Sequence, residues 1–102
     1  MTDGDRLDAL EKREAIFARD GWLCRNCGRP IREGQPQLAH RIPQNVQNLR
    51  KYGPSIIHHP DNLASACGLR CNSALDIGGH PLECAALAME IAEKMQKKID
   101  SP

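Results

Sequence analysis

Hydrophobic and polar positions along the chain predict a short series of elements. From Asp5 to Arg19, Leu7, Leu10 and Phe17 recur at helical spacing, with Ala15 and Ile16 adding apolar surface, and Asp20-Gly21 ends the helix. Cys24-Arg25-Asn26-Cys27-Gly28 then reads as a tight knuckle, and Arg29 to Pro36, with Pro30, Gly34 and Pro36, as a loop. Gln37 to Ile42 alternates polar and apolar, which predicts a strand stopped by Pro43, with Leu38, His40 and Ile42 on one face. Residues 44–61 are polar, carry Gly53, Pro54 and Pro60, and read as one long loop. Asn62 to Cys67 predicts a second strand and Arg70 to Leu75 a short helix. Pro81 to Ile99 predicts a long helix, with Leu82, Ala85, Met89, Ala92, Met95 and Ile99 along its main apolar stripe. A second stripe, Cys84, Leu87, Ile91 and Met95, makes that helix apolar over a wide arc, but a monomer is expected over a homodimer.

Composition adds a constraint. The 102 residues are 40% hydrophobic and include only three aromatics, Phe17, Trp22 and Tyr52. One small domain spanning 1–102 with an under-supplied core is expected, and such domains usually need a staple. No apolar run approaches the ~20 residues of a membrane span, so no membrane association is expected. Met1 to Asp5 is acidic and polar, unlike a secretory signal, which suggests a reducing, cytoplasmic setting.

The cysteines supply the staple. Cys24-x2-Cys27 and Cys67-x3-Cys71 are two close pairs with 39 residues between them. Two knuckles that each deliver two thiolates make a tetrahedral structural zinc site, and the metal would clip the ends of the intervening segment together. A disulfide framework, a redox pair and unconnected buried thiols are the rival readings. The first is weakened by the absence of an export signal, the second by the lack of a βαβ context. Cys84, on the long helix, reads as a small core residue.

Charge is uneven. The net charge is only +1, yet Arg25, Arg29, Arg32, Arg41, Arg50 and Lys51 are opposed by Glu33 alone between residues 25 and 52. That basic centre suits phosphate, and so does its preference for Arg over Lys. His40, His58, His59 and His80 lie within or just beyond the clipped region, with Asn62 and Asn72 opening the second strand and the short helix. Such a set suits metal-assisted phosphodiester hydrolysis, in which a histidine deprotonates water. Each residue also has a plain reading: His40 as a core histidine, His58 and His59 as loop polarity, Asn62 and Asn72 as caps.

Taken together, Cys24-x2-Cys27, Ala39-His40-Arg41-Ile42-Pro43, Asp61-Asn62-Leu63 and Cys67-x3-Cys71-Asn72 resemble the HNH endonucleases of the ββα-metal fold in their four-cysteine form. Ile16 to Cys24 is similar to the segment that precedes their first knuckle. The resemblance covers about residues 13–76. It implies an α+β, zinc-clipped ββα-metal domain, framed here by an N-terminal helix and a C-terminal helix at about 81–99. It implies a metal-dependent DNA endonuclease that leaves a 5′-phosphate and a 3′-hydroxyl. His40 would be the general base, Asn62 the residue that holds the motif loop and orients His40, and Asn72 a ligand of a catalytic Mg²⁺ or Mn²⁺. Arg41, Arg50, Lys51 and Arg70 are the expected DNA contacts, and so short a chain should nick with low sequence specificity. One departure stands out. Many members carry an acidic or histidine metal ligand where this chain has Ala39, so His58, His59 or His80 would have to complete the site, or His40 itself would be a ligand. The alternative is a non-catalytic zinc module that binds nucleic acid or protein.

Overall fold

The computed structural model describes the backbone of residues 3–100 and the side chains of residues 11–97. The expectations placed on Leu7, Leu10 and Ile99 therefore lie outside the described side chains. In chain order the elements are α1 (Asp3–Arg19), β1 (Gln37–His40), α2 (Val46–Tyr52), α3 (Pro54–Ile57), β2 (Leu63–Ala66), α4 (Leu69–Leu75) and α5 (Pro81–Asp100). Single 3₁₀ turns occupy Ile31–Glu33 and Pro60–Asn62. β1 and β2 form a two-stranded antiparallel sheet, so the fold is a small α+β one with a long C-terminal helix. No helix among the described residues is long and apolar enough to cross a membrane. The chain divides into two compact units, residues 1–39 with 64–75, and residues 40–63 with 76–102.

In the first unit α1 closes with a Schellman motif. Trp22 N–H donates to the Phe17 carbonyl at 2.8 Å and Gly21 N–H to that of Ala18 at 3.0 Å. The motif needs a left-handed residue after the cap, and Gly21 supplies it at φ +68°. Trp22 follows at φ +60°, an uncommon conformation for a bulky residue. Its ring is held by Phe17 (centroids 5.7 Å apart) and by Arg32, whose guanidinium lies 4.3 Å over it. Phe17, Cys24, Ile31, Ala39, Ala66 and Cys71 form the core here, with Trp22, Leu38, Cys67 and Leu75 packed against them.

The second unit is built on Ile42, Ile57, Ile77, Cys84 and Ala88, with Leu49, Tyr52, Ile56 and Leu87 around them. Here the structure corrects the long loop expected over 44–61, which is largely helical. Asn45 caps α2 by accepting from Asn48 N–H at 2.8 Å. Gly53, at φ +87°, ends α2, and Pro54 takes the first position of α3. The helices form because Leu49, Tyr52, Ile56 and Ile57 give them one apolar side to bury.

The strand and the long helix also show which of their faces is buried. On β1 the buried residue is Ala39, while Leu38 and His40 are half-buried. On α5 the buried residues are Cys84, Ala88 and Ile91, with Leu87 and Met95 half-buried. Of the expected main stripe, Leu82 is 87% and Met89 65% exposed and Ala92 is exposed too, while Ala85 and Met95 are half-buried. Both stripes carry apolar residues, so periodicity alone cannot choose between them. The choice falls to the stripe whose β-branched Ile91 and compact Cys84 and Ala88 fit a close-packed core.

Candidate metal centre and histidine cluster

The loop after the Schellman turn folds back on itself at the first knuckle. Leu23 pairs with Pro30, Cys24 N–H donates to the Arg29 carbonyl (2.8 Å), and Gly28 N–H to the Cys24 carbonyl (2.9 Å). Gly28 turns the chain at φ +80°. The second knuckle joins β2 to α4. It lies so close to residues 34–35 that a Cβ on Gly34 would collide with the Cys67 carbonyl, which accepts from Gln35 N–H at 3.0 Å.

The sulfurs of Cys24, Cys27, Cys67 and Cys71 lie within 4.8 Å of one another. Cys27 Sγ and Cys71 Sγ are each 3.6 Å from Cys67 Sγ. A zinc–sulfur bond of about 2.3 Å sets a tetrahedral sulfur–sulfur edge of about 3.8 Å, so the donor set and spacing fit structural zinc. Hydrogen bonds support the thiolates. Asn26 Nδ2 donates to Cys71 Sγ at 3.3 Å, and Cys27 N–H to Cys24 Sγ at 3.5 Å. Burial pushes the Cys24 thiol up, but the backbone N–H groups of Cys27 and Asn26 outweigh it and hold the thiol at about 6. Cys67, hydrogen-bonded to the Cys27 and Cys71 sulfurs, is pushed up to about 12, so the metal-free cluster holds protons that zinc would displace. Cys84 stands outside this set: its Sγ donates to the Ile77 carbonyl at 3.2 Å, and burial pushes its thiol up.

Asp20 anchors the first knuckle to β2. Its side chain is 3% exposed and accepts from Ser65 N–H at 3.0 Å and from Arg19 and Arg25. Burial raises this carboxyl, but the hydrogen bonds from Arg19 and Ser65 prevail and hold it at about 2. Nothing in the sequence beyond a carboxylate before glycine pointed to this role.

Comparison with protein-family models, with curated proteins and with solved structures returned no match. The HNH resemblance therefore rests on the motif residues themselves.

In the second unit Asn62 is fully buried and its amide is fully used. Oδ1 accepts from Ile42 N–H (2.8 Å), and Nδ2 donates to the carbonyls of Ile42 (3.1 Å) and Ile57 (2.8 Å). It is a clamp between two segments and not a turn cap. His40, at the end of β1, packs edge to face with His58, ring centroids 5.6 Å apart. His59 is turned to its own backbone and accepts from Asp61 N–H through Nδ1 at 3.1 Å. Asp61 in turn takes Lys94 of α5 at 2.6 Å. His80 immediately precedes α5, and its carbonyl accepts from Cys84 N–H. Among the described residues, the four cysteines are the only group of three or more Cys, His, Asp and Glu close enough to share an ion. His40, His58, His59 and His80 thus form no metal cage of their own.

The remaining candidates fall in both units. Asn72 lies inside α4, so it is not that helix's cap, and its Nδ2 donates to Gln37 Oε1 at 3.2 Å. Arg70 is exposed on the same helix. Arg41 is half-buried after β1, while Arg50 and Lys51 are exposed in the last turn of α2.

Proposed function

We propose that this chain is a metal-dependent DNA endonuclease that hydrolyses phosphodiester bonds with His40 as general base. The observation that carries the reading is the Asn62 clamp. One buried amide fixes both backbone groups of Ile42, two residues after His40, to the segment that delivers His58. A base held this way keeps its geometry without a rearrangement at the moment of reaction. Imidazole titrates near neutrality and can take a proton from water at physiological pH. The water oxygen would form the new bond to phosphorus, its proton passing to His40, while the bond to the 3′ oxygen breaks and that oxygen leaves as a hydroxyl after protonation.

The divalent ion of this reading would polarise the phosphate. Magnesium commonly takes one or two protein groups and fills its shell with water and substrate phosphate. The lack of a three-ligand cage among the histidines is compatible with that mode. The motif gives Asn72 to this ion, and His58 and His59 are the nearest nitrogen candidates in sequence to the clamp. Arg41, Arg50, Lys51 and Arg70 would hold backbone phosphates, which makes binding weakly sequence-specific and steeply salt-dependent.

Supercoiled plasmid incubated with the protein in Mn²⁺, Mg²⁺ or EDTA tests the reading. Metal-dependent conversion to open circle is expected, with His40→Ala slower by 100-fold or more. A wild type as inert as the variant with every ion, and with zinc in place, would overturn it. One observation favours a second reading, a zinc module that binds nucleic acid without cutting it. The position that carries a metal ligand in many members of the resembled family is Ala39, and Ala39 is fully buried.

A further inference from the structure

The arginines of the first unit whose side chains are described divide into two groups. Arg13 donates to the Pro36 carbonyl and lies over Phe17. Arg19 and Arg25 both bind Asp20, and Arg32 stacks on Trp22. Arg29 and Arg70 have no such engagement among the described residues, and both line the same hollow of about 360 Å³. Asn26, Cys27, Cys67, Gly68 and Cys71 complete its wall. Among the described residues, no carboxylate and no aromatic ring lines it. Arg29 follows the first knuckle and Arg70 precedes the last cysteine of the second, so the approach of the two knuckles puts both residues on the wall of one hollow.

We propose that Arg29 and Arg70 form a phosphate-binding subsite in this hollow, which seats the backbone of a nucleic-acid strand against the two cysteine knuckles. Two arginines that line one concavity, neither with an ion-pair partner among the described residues, favour an oxyanion, and the fork geometry of guanidinium matches phosphate oxygens. With no ring to stack a base, the hollow reads charge and not sequence. The subsite deepens the nucleic-acid reading above but needs no catalysis, so the two can fail separately.

The test is binding of the 102-residue, zinc-loaded chain to fluorescently labelled duplex DNA across a potassium chloride series, without Mg²⁺ or Mn²⁺. In the R29Q/R70Q variant the slope of log affinity against log salt should become shallower by about 1.8, or 0.9 per lost phosphate contact. Zinc should stay at the wild-type content. R25Q, whose native arginine is committed to Asp20, should keep the wild-type slope. An unchanged slope in R29Q/R70Q with zinc retained overturns the proposal. Loss of zinc from that variant, restored by R29K/R70K, also overturns it, because the arginines would then serve the charge of the metal–thiolate centre. A wild type that ignores DNA but shifts the Cys67 and Gly68 amide resonances on titration with inorganic phosphate overturns the strand in favour of a free anion. A wild type that binds DNA with the expected slopes but never nicks plasmid supports the subsite while sinking the nuclease reading.

Discussion

Along β1 the side chains alternate, so Ala39 enters the core of Phe17, Cys24, Ile31, Ala66 and Cys71 while His40 stays half-buried. Ala39 is therefore a packing residue beside the metal centre, and the position has no room for a ligand. Ala39→Asp should not restore the acidic ligand of the resembled family. It should bury an unpaired carboxylate and cost about 3 kcal/mol or more, read as a fall in the urea midpoint with no gain in Mn²⁺ affinity by titration calorimetry. Neither fact is visible in the sequence. The pattern Leu38, His40, Ile42 is as regular as an apolar face, and a single alanine between them carries no signal of burial. Asp20 is hidden for a different reason: its partner Ser65 is 45 residues away, and no local pattern encodes that pairing. The cysteines were legible because metal chemistry imposes spacing on sequence. Their four sulfurs do come together, as two close pairs implied. Asn62 was legible as a candidate but not as a clamp, since a clamp is defined by which backbone groups lie opposite it.

Elements were legible in proportion to their length and apolar content. α1, α5 and both strands follow their patterns to within a few residues. α2 and α3 escape the periodic pattern because each is short, seven and four residues, and is set by Asn45, Gly53 and Pro54 more than by periodicity. The side chain of Asn62 ties the end of α3 at Ile57 to Ile42. Asn62→Ala would leave Ile42 N–H and the carbonyls of Ile42 and Ile57 without their partner, at about 3 kcal/mol in equilibrium urea unfolding. α5 offers a sharper contrast, because its two apolar stripes differ only in which one is buried. Ile91→Ala should cost about 2–5 kcal/mol, whereas Leu82→Ala should stay within about 0.5 kcal/mol, since its side chain is 87% exposed. Thermal melts of the two variants read this directly, and equal losses would reverse the assignment of the buried face.

At the scale of the whole molecule, the two units draw on different sources of stability. The second has five isoleucine, alanine and cysteine side chains buried together and an ion pair, Asp61–Lys94, from the Pro60–Asn62 turn to α5. The first contributes two cysteines to its own core and has four sulfurs placed as zinc ligands, so its core and its metal centre are one structure. A unit whose core residues are also ligands depends on the metal for folding, because an apo form would leave polar thiols where the tetrahedron should be. The chain should hold one zinc per molecule by atomic emission. A strong chelator should remove amide-exchange protection first at Cys24, Arg25, Gly28 and Ile31, whose N–H groups donate within the first knuckle, to Ser65 and to Trp22. Protection at Ile42, which donates to Asn62, should outlast it. Cys24→Ser should reproduce the chelated pattern without chelator, while Cys84→Ser, outside the four-sulfur group, should leave the zinc content at one. Simultaneous loss of protection at Cys24 and Ile42 would mean that the metal stabilises the chain as a single cooperative body, and that the centre acts well beyond the knuckles that form it.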